Sequence, residues 1–362
     1  MLTAIKNCFG HENINTGRQP ELDMAKAFAI LFMIWTHVFE EFSPKSEGVL
    51  FMLVRNVLGG PFAAPVFMMC LGIGISYSRK NAPIDLLKRG LSLLGIGLLL
   101  NIFRFVIPSL LKYEITHNSS YLQNTFSLFS VDILQFAGLA FIFLALAKKM
   151  QLKHSILLLI GGAASIIGMF LRRVSTGNYV EDQFVGFLWG TATETYFPFL
   201  NWIIFPIAGV VFGSYLKKCK DKGKFYSLVS MLCGGMGVLY LILTFQYGLM
   251  FSSEGSYYFL GLLDAVFFIL IALSFFGLNY AILKLFSKVS FQPLMRLSKN
   301  INTIYCIHWT LIGLLGIVTQ VFLKSNSLLF WQGTLIAAIL LVISDRLAVW
   351  YLDRFKPKLI NK

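Results

Sequence analysis

Charged side chains are scarce in this chain. Asp, Glu, Lys and Arg make up 13% of its 362 residues, against 57% hydrophobic ones. A soluble domain carries about 25% charge. So few charges cannot cover a water-exposed surface of this size, which excludes a soluble fold and leaves a membrane protein. Cysteine is scarce too. The five, Cys8, Cys70, Cys219, Cys233 and Cys306, show no metal-ligand spacing, and no disulfide framework is expected. The first 20 residues hold Lys6, His11, Glu12 and Arg18 and lack the apolar core of a signal peptide. Fixed-period repeats and low-complexity tracts are absent, and every polar connection is short. One integral membrane domain over residues 1–362 is therefore expected.

What is abundant is apolar sequence in long runs. A membrane-spanning helix needs about 20 such residues. The runs predict an all-α bundle of about ten spans, near 24–42, 61–78, 90–111, 128–147, 154–171, 200–216, 226–250, 257–279, 300–323 and 328–350. The stretch 48–60 reads as an interfacial helix and 183–199 as a short re-entrant piece. The formal net charge is +14. On a soluble chain that would suggest nucleic acid, but here Lys and Arg gather at span ends, where they orient the bundle and can grip anionic lipid. No nucleic-acid partner is expected. Basic residues mark alternate loops: Arg79, Lys80, Lys88 and Arg89, then Lys148, Lys149 and Lys153, then 217–224, then Lys284, Lys288, Arg296 and Lys299. Glu40, Glu41, Glu181, Asp182, Glu194 and Glu254 fall in the other loops, with Arg172 and Arg173 the main exception. An even span count with this alternation places both termini in the cytoplasm.

Ionisable groups inside a membrane are costly, and each is a functional candidate by default. The first span holds the richest set. Lys26 and His37 have ten residues between them. On a helix that separates them by about 16 Å, and eleven steps of about 100° return to nearly the same face. Ile30 and Met33 lie between them on that stripe. Snorkelling to the headgroups accounts for Lys26, whereas an imidazole in the outer half still needs a donor and an acceptor partner. In the late span, Tyr305 and His308 are three apart and share a face; His308 reads either as a packing histidine or as a helper that orients His37. Arg104 sits inside the third span, ready to bind an anion or to pair with Asp132. Asp264 faces the bundle interior or a cavity. Glu194 reads as a solvated loop acid, and His11, His117 and His154 carry no assignment.

Together these residues resemble the transmembrane acyltransferases: the acyltransferase-3 family and its heparan-glucosaminide N-acetyltransferase-like relatives. Leu22-Asp23, a basic residue, an apolar run and His37 resemble the family's opening span, with Lys26 where the family carries Arg. Lys lacks the planar fork of Arg for bidentate phosphate contacts. In order along the chain, Ala64-Pro65-Val66-Phe67, Lys88-Arg89-Gly90, Asp132-Ile133-Leu134-Gln135, Phe197-Pro198 with Trp202, and Tyr305 with His308 resemble further family segments. The resemblance implies a cytoplasmic acyl-CoA donor, often acetyl-CoA, and a glycan or lipid-linked sugar whose hydroxyl or amine accepts the acyl group. It implies no metal, and a place in a bacterial cytoplasmic membrane. It makes His37 and His308 the catalytic candidates. Lys26, Asp23, Arg104, Asp132, Tyr305 and Arg89 are then the candidates for binding substrate or coenzyme. A transporter or flippase for a polar or lipid-linked solute is the alternative reading of the same intramembrane groups, but transport does not require the Lys-ten-His spacing.

Overall fold

The computed structural model describes residues 7–43, 48–172, 174–190, 195–247, 257–323 and 327–355. Lys6, Arg173, Glu194 and Glu254 lie outside the described residues. The architecture is helical; pairing between extended residues is limited, among the described residues, to two isolated bridges, Phe9 with Cys219 and Val131 with Thr195. Among the described residues the α-helices of eight or more residues are, in chain order, α1 (Pro20–Phe42), α2 (Ala64–Tyr77), α3 (Pro83–Asn101), α4 (Ile107–Thr116), α5 (Ile133–Lys149) and α6 (His154–Leu171). They continue with α7 (Ile204–Lys217), α8 (Lys222–Tyr247), α9 (Leu262–Leu285), α10 (Gln292–Lys299), α11 (Ile301–Ile317) and α12 (Phe330–Phe355).

Each of the ten expected spans contains a helix. Among the described residues, eight helical stretches are long and apolar enough to cross a membrane: Pro20–Phe42, Pro83–Thr116, His154–Leu171, Phe199–Lys217, Lys222–Leu243, Leu262–Leu285, Ile301–Leu323 and Phe330–Phe355. The shorter two have local causes. Helix α2 has 14 residues, about 21 Å at 1.5 Å per residue, because the chain before it turns through 59–63. Helix α5 starts at Ile133 because Asp132 caps it there, and the preceding Ser119–Phe129 is 3₁₀ rather than α. The stretch expected to lie at the interface is a short helix, Val49–Met52, running into a π-helical turn, Leu53–Leu58.

The chain packs as two compact units. The first comprises Met1–Leu22, Pro65–Leu98 and Phe129–Ser287. Lipid offers no hydrophobic drive for helix association, so small residues that let backbones approach become the means of packing. Helices α2 and α7 meet this way. A Cβ on Gly72 would fall on the Pro206 carbonyl oxygen, and one on Gly209 on that of Met69. Helices α3 and α5 meet at Gly90 and Gly138, where an added Cβ would lie 2.7 Å and 2.9 Å from the opposing glycine's carbonyl oxygen. The segment before α1 is laced to the α7–α8 corner: Gly10 N–H donates to Lys218 O at 2.8 Å and Lys220 N–H to Cys8 O at 2.7 Å. Buried Glu21 completes the clasp, ion-paired with Lys222 at 2.5 Å and accepting from the Tyr226 hydroxyl at 3.1 Å. Asp264 faces inward: it is fully buried and accepts from the Tyr240 hydroxyl.

The second unit comprises Asp23–Ala64, Leu99–Leu128 and Lys288–Lys362. Its centre is α1, which is pinned to α12 where Trp35 Nε1 donates to Thr334 Oγ1 at 3.2 Å. Ser43 exchanges hydrogen bonds of 3.0 Å with Leu328 just before α12. Asp345 of α12 takes a two-pronged contact from Arg296 of α10, at 3.2 and 2.5 Å. Every π-helical segment among the described residues lies in this unit: Leu53–Leu58, Ile102–Val106 and Val318–Phe322.

The glycine contacts make a stability prediction. Overpacking a close-fitted contact costs about 1–3 kcal/mol. Gly209→Ala and Gly72→Ala are each expected to lower the unfolding temperature in detergent, whereas Gly74→Ala, where an added Cβ meets nothing within 4 Å, is not.

Candidate active site

Helix α1 has no internal glycine or proline, so Lys26 and His37 are held on one rigid rod. Ile30 and Met33 between them are buried, so the shared stripe faces protein. Lys26 Nζ lies 2.8 Å from Asp23 Oδ1, one helical turn back. Ser298 Oγ donates to the same oxygen at 2.8 Å. Lys26 is therefore a partly exposed cation anchored by a carboxylate that is itself held from α10.

At the other end of α1, the structure brings His37 and His308 together. His37 Nδ1 is 3.0 Å from His308 Nε2, and His308 Nδ1 is 3.2 Å from the Ile304 carbonyl oxygen. A carbonyl oxygen only accepts, so His308 Nδ1 carries a proton and donates it. In a neutral ring His308 Nε2 is then an acceptor. His37 Nδ1 must donate to it, which leaves the lone pair of neutral His37 on Nε2. The chain from carbonyl to His308 to His37 thus assigns a tautomer to each ring. His308 is fully buried, while His37 is partly accessible. Tyr305 packs edge-on against His308, with centroids 5.2 Å apart, and against His37 at 6.5 Å.

Arg104 enters the same cluster because of a break in helix geometry. Pro108 lies four residues after it. Proline has no N–H for the carbonyl four residues back, and its ring crowds that carbonyl. The chain answers with a π turn over Ile102–Val106, a form of irregularity found often at functional sites. Helix α11 closes on the turn through Gly313, where a Cβ would sit 2.7 Å from the Arg104 carbonyl oxygen. The Arg104 guanidinium carbon lies 3.1 Å from the Trp309 ring centroid. It is 6% exposed and pairs with Glu41 at 3.7 Å. The Trp309 ring in turn stacks on His37, centroids 4.1 Å apart at 28°.

Four of the expected site residues, His37, His308, Tyr305 and Arg104, therefore form one cluster, and Lys26 and Asp23 form a second group on the same helix. The other two belong to the first unit. Asp132 is the N-cap of α5: its carboxylate accepts from Ile133 N–H at 2.6 Å while Gln135 accepts from the Asp132 N–H at 3.2 Å. Arg89 lies over the Phe141 ring at 4.7 Å. Sequence reasoning missed Trp309 and Glu41. The signals were there: Trp309 follows His308 directly, and Glu41 stands four residues after His37, one turn along the same helix, within α1 rather than in a loop. Among the described residues, no group of three or more His, Cys, Asp or Glu is placed to hold a metal ion.

A bundle of apolar helices long enough to cross a membrane, with a hydrogen-bonded histidine pair and a buried arginine, defines a membrane protein with a polar cluster inside its spans. Comparison with known families supplies the class of reaction. Residues 19–346 match the family model described as an acyltransferase domain. The chain belongs to this acyltransferase-3 family and is an integral, multi-pass membrane acyltransferase. The matched segment includes every residue of the histidine cluster and the Lys26–Asp23 pair. No curated protein matches the chain.

The contact at Gly313 predicts a coupled effect. Gly313→Val is expected to push α11 from the π turn and lift Arg104 from Trp309. Stability should fall by about 1–3 kcal/mol, with an altered tryptophan emission, read by thermal unfolding and fluorescence in detergent.

Proposed function

We propose that this acyltransferase moves an acyl group, most simply acetyl, from a cytoplasmic acyl-CoA to a hydroxyl or amine of a glycan or lipid-linked sugar. His37 is the general base. The observation that carries the reading is the directed hydrogen-bond chain from the Ile304 carbonyl through His308 to His37. It leaves a basic nitrogen, His37 Nε2, on a partly accessible ring. A base held in one tautomer and orientation is what proton abstraction from a hydroxyl requires.

The step balances with residues of this chain. The acceptor O–H gives its proton to His37 Nε2 as its oxygen attacks the thioester carbonyl carbon. A carbon–oxygen bond forms, and the carbon–sulfur bond then breaks. The departing thiolate takes the proton back from the imidazolium, giving free coenzyme thiol and neutral His37. His308 is a positioning residue: its Nε2 accepts from His37 Nδ1 in the resting state and steadies the imidazolium during the step.

At the inner end of α1, Lys26 uses one of its three N–H donors on Asp23 and keeps two for a coenzyme phosphate. This orientation follows the alternation of basic loops, with both termini cytoplasmic, and fits a bacterial cytoplasmic membrane.

The test uses purified protein in liposomes with radiolabelled acetyl-CoA and a mixed glycan acceptor pool. His37→Ala is expected to lower kcat by about 10²–10⁴, the usual range for a lost general base, without loss of expression. Lys26→Ala should chiefly raise KM for acetyl-CoA. Full turnover in His37→Ala would sink the assignment, and solute flux without acyl-CoA consumption would favour a transporter. For the positioning role, His308→Phe removes the acceptor and should lower kcat by about 10–10² with little change in KM. His308→Gln, which retains an acceptor oxygen, should recover part of the loss.

A further inference from the structure

The chain has six tryptophans, and the fate of their indole N–H groups differs at one of them. Trp35 donates to Thr334 Oγ1, Trp189 to the Val174 carbonyl and Trp202 to the Tyr258 carbonyl. Trp331 and Trp350 are 61% and 55% exposed. Trp309 is 3% exposed, yet its Nε1–H has no hydrogen-bond acceptor. A buried donor without an acceptor costs about 1–3 kcal/mol, and such exceptions call for a reason. In hydrocarbon, water cannot easily supply the missing acceptor.

The position of this donor suggests the reason. The Trp309 ring lies face to face with His37, centroids 4.1 Å apart, so the indole that carries this N–H is a close neighbour of the base. The Arg104 guanidinium sits 3.1 Å from the ring centroid. A cation against the π face draws electron density from the indole and makes its N–H a stronger donor. The ring is also fixed from several sides, by His37, by Arg104 and by His308 at 5.4 Å. Indole can donate but cannot accept a proton, so it can neutralise a developing negative charge without competing with His37 for the acceptor's proton.

We propose that Trp309 Nε1–H is an oxyanion donor: it receives the thioester carbonyl oxygen as negative charge develops there. The assignment rests on His37 as the base, and geometry selects which oxygen is involved. The acceptor's hydroxyl oxygen is held at His37 Nε2. When it attacks, the carbonyl oxygen becomes its neighbour on the same tetrahedral carbon. A donor carried on the ring that stacks against the imidazole is thereby assigned to the carbonyl oxygen, which is neutral before the attack and anionic after it. In the resting state the N–H waits without a partner. Its hydrogen bond is strongest in the transition state, and that differential is what lowers a barrier.

The test separates the N–H from the ring. Trp309→Phe keeps an aromatic face for His37 and Arg104 and removes the donor. With acetyl-CoA in liposomes, kcat is expected to fall by about 10²–10³, the range for loss of one oxyanion donor. KM for acetyl-CoA should change little, and the pH midpoint of kcat should stay at the wild-type position because His37 is untouched. A kcat within about twofold of wild type would overturn the proposal, as would a loss carried by KM or a shifted pH midpoint. Should Trp309→Phe unfold in detergent at lower temperature than wild type, the same kinetics are read on protein with benzothienylalanine at position 309. That side chain replaces N–H by sulfur at nearly unchanged shape, and the same outcomes decide. His37→Ala is measured in parallel. Its inactivity beside a fully active Trp309 variant removes the oxyanion role alone, whereas activity in His37→Ala removes the base on which the role depends.

Discussion

The site depends on one backbone carbonyl. Ile304 O, already part of α11, also accepts from His308 Nδ1. That single contact decides which nitrogen of His308 is an acceptor, and so which nitrogen of His37 carries a proton. In water such a preference would be weak, since solvent would serve either tautomer. Within an apolar span the alternatives are unpaired groups in a medium that cannot satisfy them. The same scarcity of partners explains the rest of the second unit. Lys26 is held by Asp23, Asp23 by Ser298, Arg104 by Glu41 and Trp309, and Asp345 by Arg296. Each polar group is placed by the need of another.

Irregular helices make these placements possible. A regular α-helix spends every carbonyl on its own ladder and presents side chains at a fixed angular step. The π turns of the second unit change that angular step. The turn at Leu53–Leu58 brings the Val54 carbonyl to the Thr36 hydroxyl at 3.4 Å, beside His37 in sequence. The turn at Ile102–Val106 carries Arg104. The turn at Val318–Phe322 carries Gln320, which accepts from Lys112 Nζ at 2.8 Å. The helices of the first unit, which close on glycine contacts, are regular in the same positions where they touch.

The all-helical class and the extent of most spans were legible in the sequence, because a span is a matter of length and hydropathy alone. So was the Lys26–His37 stripe, since nothing in α1 interrupts its period. The start of α5 was legible too: Asp132 followed three residues later by Gln135 is a capping pattern, and the Asp132 carboxylate accepts from the Ile133 N–H at that helix terminus. What was not legible is contact between distant segments. His37 and His308 are 271 positions apart, and no local period reports which spans will face each other. Trp309 escaped notice because tryptophan is common in membrane helices as an interfacial anchor. Its role depends on an unpaired N–H, which only the packed structure reveals.

The π turn before Pro108 also alters how the long stretch Pro83–Thr116 is to be counted. Arg104 and Lys112 are eight positions apart, which on an uninterrupted α-helix would set them about 80° apart around the axis. The turn absorbs one residue, so the spacing acts as seven and the offset falls to about 20°. Both cations then look toward the same neighbouring helix, Arg104 onto Trp309 and Lys112 onto Gln320. Residues 83–101 and 107–116 belong to two helical wheels with different phases. A one-residue insertion or deletion within 102–106 would re-aim every side chain on the far side of it.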